Sequence, residues 1–177
     1  MNVIEGGVCA AKGFTAGGIH CGIRKNHTKK DLSLIFSAVP ASAAAVYTTN
    51  LVKGAPLTVT RKHLENGMAQ AIICNSGNAN TCNANGIEIA EAMSSLCAKE
   101  LNIAPEDVIV ASTGVIGQPL SIEPIAAALP QLAADLSING GSDAAEGIMT
   151  TDTIKKEVAM EYMYKDGRNV LTLTMKV

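Results

Sequence analysis

Two short apolar runs, each closing on a small polar loop, constrain this chain more than any other feature. Ala71-Ile72-Ile73-Cys74 hands over to Asn75-Ser76-Gly77-Asn78-Ala79-Asn80, and Val108-Ile109-Val110-Ala111 hands over to Ser112-Thr113-Gly114-Val115-Ile116-Gly117. Runs of this length ending in Gly, Asn and Ser predict central strands that deliver loops to one edge of a sheet. In α/β folds ligands bind just beyond such strand ends. Small residues there let backbone N–H groups approach a ligand, and Thr or Ser adds a hydroxyl. Such a loop can hold an oxyanion or a carboxylate without cationic side chains.

Composition narrows the partners. The chain has 177 residues, 47% of them hydrophobic and 17% charged, which predicts one globular domain over residues 1–177. There is no Trp and only 3% aromatic residues, which argues against a base-stacking platform for single strands. The net charge of −2 excludes a strongly basic, nucleic-acid-binding chain. The densest basic stretch, Arg24 to Lys30, reads as a solvated loop between two strands. Cys9, Cys21, Cys74, Cys82 and Cys97 are odd in number and contain no C-x-x-C pair, so neither a disulfide framework nor a zinc site is expected. Cys74 and Cys97 fall in apolar runs and read as core. Reduced thiols fit the cytoplasm, Met1 to Ala10 lacks the pattern of a secretory leader, and nothing approaches a membrane span. His20, His27 and His63 show no pairing pattern with a Cys or a carboxylate and read as surface or capping residues.

Along the chain, the glycines of Gly13-Phe14-Thr15-Ala16-Gly17-Gly18 mark turns or close backbone approaches. Leu32 to Ser37 alternates as a strand, Pro40-Ala41-Ser42 is expected to break it, and Ala43 to Thr48 reads as a second strand. Pro56 to Thr60 starts a strand or helix, Thr60 to Gly67 is a helix closed by Gly67, and Gln70 to Cys74 is a strand. Ile89, Met93, Leu96, Cys97 and Leu101 recur at helical steps, with Glu88 and Glu91 early and Lys99 late, as the helix dipole favours. Pro119 to Leu136 reads as a helix capped by Ser121 and kinked or divided at Pro130. Asn139 to Ser142 is a turn, with Ser142 capping a short helix from Asp143 to Gly147, and Ile148 to Thr153 forms a third polar loop. Lys156 to Tyr164 and Val170 to Val177 read as a hairpin turning at Asp166-Gly167. The second strand runs to the last residue, which suggests a chain cut short or partner strands on another polypeptide.

Taken together the loops resemble the glutamate N-acetyltransferases that also act as ornithine acetyltransferases in arginine biosynthesis. The matching segments are Gly13 to Gly18 with Gly22-Ile23, Thr48-Thr49-Asn50-Leu51-Val52-Lys53-Gly54-Ala55-Pro56, Asn75 to Asn80, Ser112 to Gly117, and Met149-Thr150-Thr151-Asp152-Thr153. Five pieces in the family's order span nearly the whole chain. The resemblance implies an α/β fold, a layered sheet-and-helix domain like that of the ornithine acetyltransferases and the aminopeptidase-like self-processing enzymes.

In that family a precursor cuts itself in two, and the new N-terminal Thr of the second chain becomes the nucleophile. The cut lies in a motif like K-G-S-G-M followed by M-A-T-M-L, which this sequence lacks. The resemblance therefore makes this the N-terminal (α) chain without its last residues before the cleavage site, and puts the nucleophilic Thr on the partner β chain. Lys176 is not followed by Gly-Ser-Gly and takes over no role. By position, Thr113 and Gly114 match the oxyanion pair and Thr150 the substrate-contacting threonine. The implied chemistry is ping-pong acetyl transfer from N-acetylornithine to glutamate, with no organic cofactor and no metal, in a heterotetramer of two α and two β chains. Acetyl-CoA is a donor for the bifunctional members and not for the monofunctional ones, and both remain open here. Two other classes share these loops: a self-processing amidase or peptidase of related fold, with water as acceptor, and a non-catalytic binding module for a small carboxylate. Asn75 to Asn80 reads equally well as a structural loop capping the helix that follows, and none of its residues is assigned to catalysis.

Overall fold

The computed structural model describes residues 2–163, and of 169–175 the backbone course. Its strands are β1 (Asn2–Ile4), β2 (Phe14–Ile19), β3 (Leu32–Ser42), β4 (Met68–Asn75), β5 (Val108–Ser112), β6 (Glu157–Met163) and β7 (Asn169–Met175). Its α-helices are α1 (Ala55–His63), α2 (Gly86–Leu101), α3 (Glu123–Ala134) and α4 (Gly141–Gly147). One sheet has the order β2-β3-β4-β5 and a second the order β1-β6-β7. In the first, β2, β3 and β4 run antiparallel in turn, and β5 lies parallel to β4, joined to it through α2. The order makes β4 central and β5 an edge strand, where the sequence pattern implied two central strands. The apolar run of β5 is explained from one side: Val108 and Val110 are buried under the helices.

The two faces of this sheet follow the alternation of side chains along each strand. Leu32, Leu34, Ala71, Ile73, Val108 and Val110 share the main core with Met93 and Cys97 of α2 and with Ile125, Leu129 and Leu132 of α3. On the other face Ala16 and Ile35 pack with Ala144 of α4. Register sets Ala16, Ile35, Ile72 and Ile109 in one row across the strands. The first two are covered, while Ile72 is 37% exposed. The small residues of β2 and α4 allow backbones to approach: a Cβ on Gly18 would sit 2.1 Å from the Asp143 carbonyl oxygen, and one on Gly140 would sit 1.7 Å from that of Ala16.

Several local expectations change. β3 runs through Pro40 to Ser42, because the register with β4 shifts between Phe36 and Ala41 and leaves Pro40 outside the ladder, where its missing N–H is harmless. Ala43 to Thr48 is not a strand, and Val46 stands fully exposed. α1 is one helix from Ala55, ending in a 3₁₀ turn closed by Gly67 at φ 70°. α3 continues through Pro130 without division. Ser121 is not its cap: Ile122 holds that position, and the Ser121 hydroxyl donates to the Glu123 carboxylate. Ser142 likewise lies inside α4, whose cap is Gly140. β6 and β7 form the expected hairpin, with β1 added on the far side of β6. Its turn at Asp166-Gly167 lies outside the described residues.

Burial pushes the Cys74 and Cys97 thiols up to about 12, and burial reinforced by the Asp31 carboxylate does the same for Cys21. The unfolded chain releases these protons near 9.0, so stability present below that pH is lost as pH rises from 9.0 toward 12. The thermal midpoint should fall above pH 9.0, and fall less steeply in a Cys74→Ala, Cys97→Ala variant. Parallel pH profiles for the two proteins would dissociate the loss from these thiols. Gly140→Ala should lower unfolding free energy by about 1–3 kcal/mol in urea titration, since the added methyl has only backbone to displace.

Candidate active site

The carboxyl ends of β2, β4 and β5 and the start of β3 lie at one sheet edge, because Ile19 pairs with Leu32, Leu32 with Asn75, and Asn75 with Ser112. Asn75 organises what lies beyond. Its buried Oδ1 accepts from the amides of Gly77 (3.2 Å) and Asn78 (3.0 Å), and its Nδ2 donates to the Ser112 hydroxyl at 2.7 Å. Asn78 repeats the device: Oδ1 accepts from the Asn80 amide at 2.8 Å and Nδ2 donates to the Gln118 carbonyl at 3.0 Å. Asn80 stands at φ 47°, a conformation Asn tolerates, and its Nδ2 donates to the Gly86 carbonyl at 2.8 Å. The side chains of the Asn75–Asn80 loop thus bind the loop itself, and the helix capping expected of them is not seen. The loop braces the start of α2 through Gly86 and makes no side-chain cap at Asn85.

The second loop is zipped to the first. The Thr113 amide donates to the Asn75 carbonyl at 2.9 Å, Asn78 bridges Val115 in parallel register, and the Ala79 amide donates to the Val115 carbonyl at 2.8 Å. Gly114 sits at φ 124°, and a Cβ there would lie 2.7 Å from the Gly77 carbonyl carbon. Only Gly meets both conditions. With the Thr113 amide consumed, the Thr113 hydroxyl and the Gly114 N–H have no hydrogen-bond partner among the described residues. Thr113 is half-buried and Gly114 exposed.

The other matching segments arrive at the same edge. A Cβ on Gly77 would lie 2.3 Å from Cγ2 of Ile23, so that turn is packed under the β2–β3 loop. The Ala55 amide donates to the Asn80 carbonyl at 3.1 Å, which brings in Thr48 to Pro56. Met149 to Thr153 is attached through Arg24, whose Nη2 donates to both the Ser76 carbonyl (2.6 Å) and the Met149 carbonyl. Beside this third loop opens a cavity of about 850 Å³, lined by Thr151, Asp152, Thr153, Lys29, Glu146 and Glu157 among others. Lys156 beside Asp152 holds that carboxyl below the usual range. Thr150, Thr113 and Gly114 are not in the cavity wall.

Four residues escaped the sequence, and all but His63 lie at this edge. Asp31 is fully buried and its carboxylate accepts from the amides of Cys21 (2.6 Å) and Arg24 (2.8 Å). It is the lone acid of a basic stretch, and that contrast was the available signal. His20 does pair, against expectation: its Nδ1 lies 3.5 Å from Asp31 and its Nε2 3.2 Å from Nδ1 of His27. His63 is buried rather than superficial, with Nδ1 2.8 Å from the Val108 carbonyl. Arg24, read as part of a solvated loop, is a tether between loops. Among the described residues no three His, Cys, Asp or Glu side chains gather as metal ligands would, and no helix is long and apolar enough to cross a membrane.

A parallel strand pair joined through a helix, within layered sheets and helices, defines an α/β protein. The model of the ArgJ family matches residues 15–176, and the chain belongs to that family. It is 50% identical over 161 residues to the arginine biosynthesis bifunctional protein ArgJ of Symbiobacterium thermophilum, covering 90% of this chain and 40% of that protein. It is 46% identical over 163 residues to that of Caldanaerobacter subterraneus, covering 92% and again 40%. The chain thus spans about 40% of the length of these relatives. The crystal structure of the Bacillus halodurans protein matches with a TM-score of 0.86 at 40% identity, over 97% of this chain and 91% of that one. Mycobacterium tuberculosis ornithine acetyltransferase, solved with ornithine, matches with a TM-score of 0.88 at 33% identity, over 99% and 95%.

Asn75→Ala should lower unfolding free energy by about 1–3 kcal/mol for each amide left without its acceptor. Asn83→Ala, which removes one 3.5 Å contact, should cost far less in the same urea titration. Equal losses would remove Asn75 from its organising role.

Proposed function

We propose that this single-domain chain is the α part of a two-chain acetyltransferase that moves an acetyl group from N-acetylornithine to glutamate in arginine biosynthesis. The observation that carries the reading is the donor pair at the tip of β5, a hydroxyl on Thr113 and an N–H on Gly114, both unclaimed among the described residues. Family membership and the ornithine-bound relative supply the substrate class.

In this mechanism the hydroxyl of an N-terminal Thr on a partner β chain attacks the acetyl carbonyl of N-acetylornithine. The carbonyl oxygen gains negative charge, which the Thr113 hydroxyl and Gly114 N–H stabilise. The C–N bond breaks, the leaving amine takes a proton, and an acetyl-threonine ester remains. The amine of glutamate then attacks the ester, passes through a second oxyanion at the same donors, and leaves as N-acetylglutamate. The threonine's own α-amine serves as base, which is why self-cleavage must come first. Thr150 orients the amino-acid portion through its hydroxyl. The reaction draws on no cofactor, and two α and two β chains form the cytoplasmic heterotetramer. Acetyl-CoA serves as a second donor if the enzyme is of the bifunctional kind.

The complete enzyme incubated with N-acetylornithine should gain one acetyl mass on the β chain. Acetylation confined to the chain described here would refute the scheme, and acetyl release indifferent to glutamate would point to a hydrolase. Thr113→Ala should lower kcat about 10²–10³-fold, the usual effect of one lost oxyanion donor, while chain association persists. Near-normal turnover in that variant would exclude Thr113 from the oxyanion role.

A further inference from the structure

We propose that Arg24 is a positioning residue that fixes the Met149–Thr153 loop, and with it Thr150, against the loops bearing Thr113 and Gly114. The proposal rests on the acetyltransferase reading for its catalytic consequence, and on hydrogen bonds alone for its structural one.

Arg24 is itself held from two sides. Its backbone amide donates to the buried Asp31 carboxylate at 2.8 Å, and the neighbouring Ile23 packs on Gly77. From that fixed origin the guanidinium spans two segments distant in sequence. Nε and Nη2 donate to the Ser76 carbonyl at 3.1 and 2.6 Å, and Nη2 also donates to the Met149 carbonyl. The Ser76 carbonyl belongs to the peptide entering Gly77, whose amide is bound by Asn75. The Met149 carbonyl belongs to the peptide entering Thr150. One planar group therefore sets the orientation of two peptides, each leading directly into a part of the site.

Nothing else among the described residues does this by hydrogen bonding. The Ser76 hydroxyl donates to the Gly147 carbonyl at 2.6 Å, but that bond anchors the end of α4, before the loop begins. Residues 149–153 make no other hydrogen bond to the first or second loop. Nor does Arg24 form an ion pair among the described residues, since Asp31 is engaged by backbone amides instead. A guanidinium suits the task because its donors form a rigid fork, whereas an ammonium is a single mobile point. Misplacing a substrate contact by about 1 Å can cost about 10²-fold in rate.

The test is a double-mutant cycle on the complete two-chain enzyme. Arg24→Met keeps the side-chain stem and removes every donor. It should lower kcat for acetyl transfer about ten- to hundredfold, and Arg24→Lys should recover part of the loss. Because Arg24 acts through Thr150, Arg24→Met added to Thr150→Ala should lower turnover little further. Losses that multiply in the double variant would overturn the proposal, as would full turnover in Thr150→Ala. Hydrogen exchange gives a readout independent of chemistry: Arg24→Met should speed exchange at residues 149–153 and leave the Thr113 and Gly117 amides protected. Unchanged exchange at 149–153 overturns the proposal even if the enzyme transfers no acetyl group. Absence of acetyl transfer in the unmutated enzyme overturns the functional reading alone, and leaves the exchange experiment to decide the role of Arg24.

Discussion

The side-chain amide of Asn75 is the interaction on which the site depends. It stands on the last residue of β4, fully buried, and uses both ends of its amide. The oxygen gathers the Gly77 and Asn78 amides into a turn, and the nitrogen reaches across to Ser112 on β5. A buried amide left half-paired would be costly, so the loop is held in the one conformation that satisfies it. Its backbone carbonyl then accepts the Thr113 amide and extends the parallel ladder one step past the strands. The N–H of the next peptide, at Gly114, has no acceptor among the described residues. The free donor falls at Gly114, between the Thr113–Asn75 bond and the bridge of Asn78 to Val115.

Close packing of glycine peptides explains why segments so far apart in sequence meet at this point. Gly77 lies under Ile23 on one side and against Gly114 on the other. A side chain at either glycine would separate the layers and carry Thr113 away from Asn75. On the opposite flank Gly86 lies against Ala55, with the Asn80 side chain between loop and helix. Small residues here shorten the distance between backbones, so that backbone groups, which are rigid and numerous, make the site.

The elements with a long period or a strict alternation were legible in the sequence, and so was the edge they create. α2 was readable from Ile89, Met93, Cys97 and Leu101 because its apolar stripe faces one core. β4 and β5 were readable because an apolar run closes on Gly and Asn. Position in the sheet was not: β5 looks as apolar as β4 although it is the edge strand, since one buried face of a short strand suffices. Pro40 misled because the penalty for Pro in a strand disappears where a register shift has already opened the ladder. Ala43 to Thr48 misled because weak alternation without burial is no strand. Ser121 and Ser142 are plausible caps by type, but their hydroxyls found Glu123 and Lys155 instead. Asp31 offered only its contrast with the basic stretch before it, and Arg24 and His20 were unreadable for a deeper reason. Each acts across sequence gaps set by tertiary structure, and a polar residue in a basic loop carries no mark of its distant partner.

The site divides into two parts held by different means. The first two loops are knitted by buried Asn side chains, backbone ladder bonds and glycine contacts. Donors fixed in this way meet developing charge without reorganising, the condition under which hydrogen bonds contribute most to a transition state. The third loop reaches the first two by hydrogen bonds from one side chain, and the large cavity opens on its side. A half knitted in this way suits the charge that every acyl transfer creates at the same atom. A separately anchored half suits the part of a substrate that differs between donor and acceptor, because its hydrogen bonds do not pass through the Asn75 side chain. On the proposed reading, one pair of donors serves both half-reactions, while the tethered loop accommodates first ornithine and then glutamate.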